Sequence, residues 1–477
     1  MDTNLTKNYS GIIKNLLSYF PSRILIILNF LVIIPLLAYM LDKKEMSIYL
    51  IAIQILNLFL TCSFDWISKA VLRFYEKYKI KEKLDEFFSS IFWISIAAYI
   101  FIIIFYLLFK DVMLQKYAIP NSTFLYTIAL ILPCGIRQFL YQLLRLKNQY
   151  KLYTISIAIY QIAFVILFLG FFKIIDNANA ILLAMLIAIS IIDIIIFRNI
   201  TIDYKLKCTI DYKIIGETLK YALPLIVTNA SYWGIFNFSK LIFQNAQHYD
   251  STAIIGIAMS IAEYGLTPFL TLFIFVTFPL IIEKFENNNG LKPYFTNILQ
   301  LYYIILAPLV SVFCLFPKEI ASIFLPESYS SVCLALPFVT LTCFLHEFLK
   351  LINLKYHMKN KTYLETIIGI ILVSLSFLLN IVLIQKYGIL GAAVAMFLTE
   401  LALIFVNIII KFKNFDFVAL NPVLRTFIKT TILIILVFIA VTFLIPFDNK
   451  IVYIIKMFLY LILIYPLCYK LRRRILS

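Results

Sequence analysis

The sequence predicts an all-α integral membrane protein of about fourteen transmembrane helices, arranged as two parallel six-helix lobes followed by two further C-terminal helices. Three observations carry this expectation. The 477 residues are 63% hydrophobic and only 14% charged, with a mean hydropathy of +0.95, a composition that belongs in a bilayer and leaves no room for a folded domain outside it. Apolar runs of about twenty residues, the length that crosses ~30 Å of hydrocarbon, recur from end to end, and strand-type alternation is absent. Of the 42 Lys and Arg, 29 fall on one set of alternate loops and tails and 8 on the other, with the rest inside spans. That bias fixes an even number of spans and puts both termini in the cytoplasm. The net charge of +17 is therefore mostly the positive-inside rule, and a nucleic-acid partner is excluded.

Taken in order, the spans are 12–40, 46–71, 87–109, 122–144, 152–174, 178–197, 217–243, 252–281, 293–316, 329–351, 364–385, 389–410, 426–446 and 451–469. The first run is as long as a full span and no small-residue cleavage site follows it, so no cleavable signal is expected. After span two the chain reads Glu76-Lys77-Tyr78, then eight residues, then Phe87-Phe88. After span eight it reads Glu283-Lys284-Phe285, then eight residues, then Tyr294-Phe295, an offset of 207. A weaker echo pairs Asn148 to Thr154 with Asn360 to Thr366. Units separated by an even number of crossings share one orientation, so this is a parallel repeat with its axis along the membrane normal. The expected division is 1–212 for spans one to six, 213–415 for spans seven to twelve, and 416–477 for two spans outside the repeat. Two such lobes make a transporter the first hypothesis, because a site at their interface can be exposed to either side by rocking. The seven cysteines (Cys62, Cys134, Cys208, Cys314, Cys333, Cys343, Cys468) have no ligand-like spacing and read as small core hydrophobes.

Span seven is the least apolar. It opens on Lys213 and Lys220, carries Pro224, and places Asn229, Trp233, Asn237, Lys240 and Gln244 three or four residues apart on one helical face. An unpaired amide facing lipid costs several kcal/mol. That stripe is expected to face a water-filled cavity or another helix.

Short stretches resemble a known family. Asp65-Trp66-Ile67-Ser68-Lys69-Ala70 leading to Arg73-Phe74, Lys220-Tyr221-Ala222-Leu223-Pro224-Leu225, and Ile255-Gly256-Ile257-Ala258-Met259-Ser260-Ile261-Ala262 resemble three positions in the polysaccharide-unit flippases. This family includes the O-antigen translocases of the multidrug/oligosaccharidyl-lipid/polysaccharide exporter superfamily, and the resemblance spans nearly the whole chain. Trp66 replaces a usual small aromatic-glycine pair, and Ala222 a usual glycine. The resemblance implies a non-enzymatic flippase for undecaprenyl-pyrophosphate-linked oligosaccharide repeat units, in a bacterial inner membrane and in lipopolysaccharide or related polysaccharide biosynthesis. The implied partners are that lipid-linked substrate, the membrane and a polysaccharide polymerase machinery; with no nucleotide-binding motif, energy is expected from an ion gradient (H+ or Na+), from substrate consumption on the far side, or from both. No cofactor or metal is implied.

Such a substrate needs cations for its pyrophosphate, and amides, hydroxyls and aromatic faces for its sugars. An ionisable group at mid-bilayer costs about 2.5–3.5 kcal/mol, so each one needs a reason. Arg137 lies well inside span four, with Tyr141 and Arg145 continuing its face and Gln138 and Gln142 alongside; it reads as cavity lining, or else as an interhelical ion pair or a snorkelling side chain. Arg23 in span one is a second cation candidate or an interfacial anchor. Lys240 ends the polar stripe near the outer side, where it lines the cavity or snorkels. Asn229, Trp233 and Asn237 complete the expected substrate-binding set. Lys69, four residues after Asp65, reads as a self-neutralising pair. Glu263 and Glu400 stand mid-span with no Lys or Arg one turn away. Each must find a cation on another helix, bind an ion or stay protonated, and both are ion-coupling candidates. Glu347, one turn from Lys350, and Asp193 read as paired or solvated.

Little chemistry is encoded. His346-Glu347 begins like a zinc-protease helix, but Lys350 stands where the second histidine should be. There is no GxxxxGK[ST] phosphate loop. The alternatives are an ion-coupled multidrug-type exporter, which would want a more acidic cavity, and a multispan polysaccharide polymerase or ligase, which would want a long external loop where only about a dozen residues are available. A purely structural scaffold leaves the intramembrane charges unexplained.

Overall fold

The computed structural model describes residues 21–147, 149–200, 210–286, 291–358, 362–414, 419–445 and 449–476; Cys208 and the repeat residues Asn148 and Asn360 lie outside them. Every regular element among the described residues is a helix. Helix α1 is Pro21–Met40 with a π-helical turn at Asn29–Ile33. Helix α2 runs as Lys43–Leu60 and Trp66–Ile80, joined by a second π-helical turn at Thr61–Asp65. The N-terminal half continues with α3 (Leu84–Leu108), α4 (Asn121–Leu146), α5 (Tyr150–Ile175) and α6 (Ala178–Asn199). The C-terminal half opens with α7 (Tyr212–Asn245) and α8, which is Tyr249–Gly265 and Thr267–Glu286, bent by 42°. Pro268 has no N–H to give to the preceding turn, which accounts for the bend. Helices α9 (Leu291–Leu315) and α10 (Val332–Met358) follow.

The helix Thr362–Asn414 is double length and breaks at Gly388, with φ 55° and ψ −127°, into α11 (362–387) and α12 (389–414). Two glycines permit this turn. Gly388 occupies a backbone region that L side chains rarely adopt, and a Cβ on Gly391 would collide with the carbonyl of Leu383. Helices α13 (Leu420–Leu444) and α14 (Lys450–Leu476) end the chain.

Eleven helices among the described residues are long and apolar enough to cross a membrane, or twelve when the bent pair of α8 counts as one span. The difference from fourteen arises in two places: α7 is too polar to qualify, and α11 with α12 counts as one continuous span of 45 residues.

Helix starts follow local chemistry. Asp42 caps α2 by accepting from Glu45 N at 2.7 Å, and Asp211 caps α7 by accepting from Lys213 N at 2.8 Å. In the N-terminal half, α6 packs along α4 and α5; in the C-terminal half, α11–α12 packs along α7 and α10. The halves meet through α7 and α8, which pack on α1, α2 and α3. Helices α13 and α14 pack on α9, where Gln300 donates to Thr426 Oγ1 at 2.7 Å, Tyr303 stacks on Phe427 and Ser311 shares a 2.6 Å hydrogen bond with the Tyr460 hydroxyl.

Candidate functional site

The polar stripe of α7 is the seam between the halves. Asn229 Oδ1 accepts from Lys69 Nζ of α2 at 3.1 Å. Trp233 Nε1 donates to the Gln54 carbonyl, also of α2, at 2.9 Å. Gln244 donates to the Tyr117 carbonyl ahead of α4 at 2.9 Å. Asn237 donates to Trp233 O on its own helix, and its Oδ1 is buried without a hydrogen-bond partner. At one end of the seam Glu217 accepts from Lys77 and Tyr78. At the other, Lys43 of α2 pairs with Asp250 of α8 at 3.0 Å.

Behind this seam, charged side chains face an opening between the halves. Glu263 is exposed although its neighbours on α8, Ile261 and Ala262, are fully buried. Lys350 of α10 is exposed between buried Leu349 and Leu351, and Lys69 is exposed between buried Ser68 and Ala70. An ionisable group exposed within a membrane span is costly against lipid, so these three are assigned to a water-accessible cleft within the protein. The three groups are electrostatically linked: Glu263 lies within Coulombic range of Lys240 and Lys350, and Lys69 within range of Lys350, Asp65 and Glu365.

The N-terminal half supplies an aromatic wall. The Arg137 guanidinium sits over the Tyr160 ring at 4.7 Å, in cation–π contact, with Tyr141 and Asp193 in Coulombic range. Tyr264, next to Glu263, feels Arg137, Tyr49 and Tyr160, so α8 brings this wall to the cleft. Arg137, Tyr49, Tyr160 and Tyr264 are all half-buried.

The other expected residues separate by location. Gln138 hydrogen-bonds the Asp65 carboxylate, Tyr141 packs edge-on against Tyr153, and Gln142 accepts from Arg145 at 3.2 Å. Arg23 lies in the first turn of α1, half-buried. Lys240 does not snorkel: it is 1% exposed, held inside by the charge of Glu263. Asp65 and Lys69 do not close on each other; Gln138 and Thr61 take the carboxylate while Lys69 crosses to Asn229. Glu347 is paired with Lys350 at 2.6 Å, as its spacing predicts. Asp193 is neither solvated nor paired: it is buried, and both carboxylate oxygens lack a hydrogen-bond partner. Glu400 on α12 is fully buried and meets His346 Nδ1 of α10 at 3.0 Å. No group of His, Cys, Asp and Glu among the described residues could hold a metal ion.

Cations, acids, aromatic rings and amides from both halves are thus linked along the seam, and such cations, rings and amides can bind an anionic, sugar-bearing headgroup.

No protein-family model matches the chain, and no curated protein matches it. Solved structures do match. One, a lipid II flippase MurJ in an inward closed conformation, is 16% identical with a TM-score of 0.72, covering 97% of this chain and 99% of that one. An inward-facing multidrug resistance MATE family transporter of the MOP superfamily is 14% identical with a TM-score of 0.56, covering 84% and 93%. An outward-facing MATE structure gives 12% and 0.54, covering 84% and 94%. The chain therefore has the fold of these membrane transporters, and the likeness extends over nearly all of it.

Proposed function

We propose that the chain is a flippase that moves undecaprenyl-pyrophosphate-linked oligosaccharide repeat units from the cytoplasmic to the outer leaflet of a bacterial inner membrane by alternating access. The observation that carries this reading is that fixed cations from both halves, Arg137 and Lys69 from one and Lys350 from the other, stand beside the rings of Tyr49, Tyr160 and Tyr264, with acids on hand to balance them when the cleft is empty. The pyrophosphate binds the cations, the sugars stack on the rings, and the polyprenyl chain stays in lipid. The likeness in fold to a lipid II flippase supports a lipid-linked substrate. Both termini lie in the cytoplasm, as the basic loops require. The units 1–212 and 213–415 rock against each other, with 416–477 carried on the second. The ion pair between Lys43 and Asp250 supports the repeat, because the two are 207 residues apart, the offset of the repeated sequence element. Glu263 and Glu400 couple the cycle to an ion gradient. The pathway served is that of O-antigen or another lipopolysaccharide-type polymer, with the polymerase machinery as receiver.

The test is a proteoliposome assay in which a fluorescent polyprenyl-pyrophosphate oligosaccharide becomes accessible to a membrane-impermeant glycosidase. The purified protein is expected to make it accessible, and Arg137→Ala or Lys350→Ala to reduce the rate at least tenfold with the protein still folded and inserted. Rates in both variants equal to the parent would refute the assignment. The second reading, ion-coupled export of small organic cations, is favoured by Glu263, Asp65 and Glu365 sharing the electrostatics of that cleft; uptake of an organic dye cation by the same vesicles, with no movement of the lipid, would select it.

A further inference from the structure

We infer that His346 and Glu400 form a proton-binding site, and that its occupancy is transmitted through Tyr232, Asn353 and Glu365 to the contact between the halves at Lys69 and Asn229. The inference deepens the proposed function and rests on alternating access. Glu400 is fully buried. Its Oε1 lies 3.0 Å from His346 Nδ1, while its Oε2 is buried with no hydrogen-bond partner. With a neutral imidazole donating through Nδ1, the pair has a net charge of −1 and leaves a bare carboxylate oxygen inside the bundle. One added proton, taken up at the other ring nitrogen, makes an imidazolium–carboxylate pair of net charge zero.

Other charged and titratable side chains surround the pair. The groups facing this region are Cys343, Glu347 and Lys350 of α10, Glu263 of α8, Tyr232 and Lys240 of α7, and Glu365 of α11. Three of these are acids and two are lysines, one of them already paired with Glu347.

The route outward is continuous. The His346 ring is wedged between Tyr232 at 4.8 Å and Phe236 at 5.0 Å, both edge-on from α7, so a change in imidazole charge or tilt acts directly on that helix. The Tyr232 hydroxyl meets Asn353 Nδ2 at 3.4 Å and hydrogen-bonds Glu365, and Asn353 Nδ2 also lies 3.3 Å from Glu365 Oε1. Glu365 attracts Lys69 of the opposite half, and Lys69 donates to Asn229, one turn from Tyr232 on α7. A proton at His346 thus alters both the position of α7 and the field that holds Lys69 on it.

Trp233 reports on this seam, since its indole is bonded to α2. The protein has three tryptophans, and replacing Trp66 and Trp93 by Phe leaves Trp233 alone. In lipid nanodiscs the expected result is a pH-dependent shift of Trp233 emission with uptake of one proton, measured by indicator dye. Glu400→Gln and His346→Gln should abolish both uptake and shift. Tyr232→Phe should keep the uptake and lose most of the shift, a separation that loss of folding cannot mimic. A shift that persists in Glu400→Gln, or no pH-dependent shift in the parent, overturns the inference. Lipid flipping in the proteoliposome assay reads the proposed function independently: flipping unaffected by pH with a silent Trp233 sinks the proton site alone, whereas a titrating Trp233 without any flipping upholds the site and sinks the flippase reading.

Discussion

Lys240 is 1% exposed, and the charge that offsets its own stands on another helix, at Glu263. The two act on each other through space without closing to a salt bridge, so removing either leaves the other less well compensated. Lys240→Met and Glu263→Gln are each expected to lower thermal stability in detergent, and the double variant to lose about 0.5–3 kcal/mol less than the two losses added. Strict additivity would contradict the pairing. Tyr160→Leu removes the ring under Arg137, a contact of roughly 0.5–2 kcal/mol, and should weaken headgroup binding several-fold while leaving the insertion of the protein intact. At this scale the sequence was partly legible. The isolation of Glu263 along its own helix called for a cation from elsewhere, a bound ion or a retained proton, and two cations on other helices are in electrostatic reach. The depth of Arg137 marked it as a site residue, but Tyr160 lies on the next helix in a chain with 31 tyrosines, and nothing local selects it. Lys69 was half legible: the carboxylate four residues earlier is its leading opposite charge, but the hydrogen bond to Asn229 joins residues 160 positions apart and is purely tertiary.

Helix α7 and the α11–α12 turn define the element scale. The polar face of α7 was readable from spacing alone, since a three-or-four-residue stripe of amides cannot face lipid, and Asn229, Trp233 and Gln244 each bond to the N-terminal half. The boundary between α11 and α12 was readable too, but its geometry was not, because only the folded backbone brings Gly391 onto the carbonyl of Leu383. Gly391→Ala is expected to abolish recovery of folded protein by size-exclusion chromatography. Gly388→Ala, strained only by a backbone conformation near that of the first central residue of a II′ turn, should cost about 1–3 kcal/mol and remain recoverable; recovery of Gly391→Ala at parent levels would contradict the close approach. The bend in α8 escaped the sequence reading because Pro268 lies within an apolar run that hydropathy treats as continuous.

Across the whole molecule the two halves are pinned at opposite ends of α2, by Lys43 with Asp250 and by Lys77 with Glu217. At 1.5 Å per residue these pins are about 50 Å apart. Rocking must release one while the other holds. A zero-length carbodiimide cross-link at either pair, verified by mass spectrometry, is therefore expected to stop lipid movement: Lys43→Gln leaves only the Lys77–Glu217 cross-link and Glu217→Gln only the Lys43–Asp250 one, whereas the double variant treated identically forms neither and retains activity. Movement that continues through a complete cross-link at either end would rule out rocking about this seam. The most direct test of the flippase reading is to delete the gene in its host and determine on which side of the inner membrane lipid-linked repeat units collect. Translocation by this chain predicts complete units accumulating on the cytoplasmic side, with surface polysaccharide lost. Single units accumulating on the outer side would mean that flipping is intact and polymerisation has failed, and would contradict it.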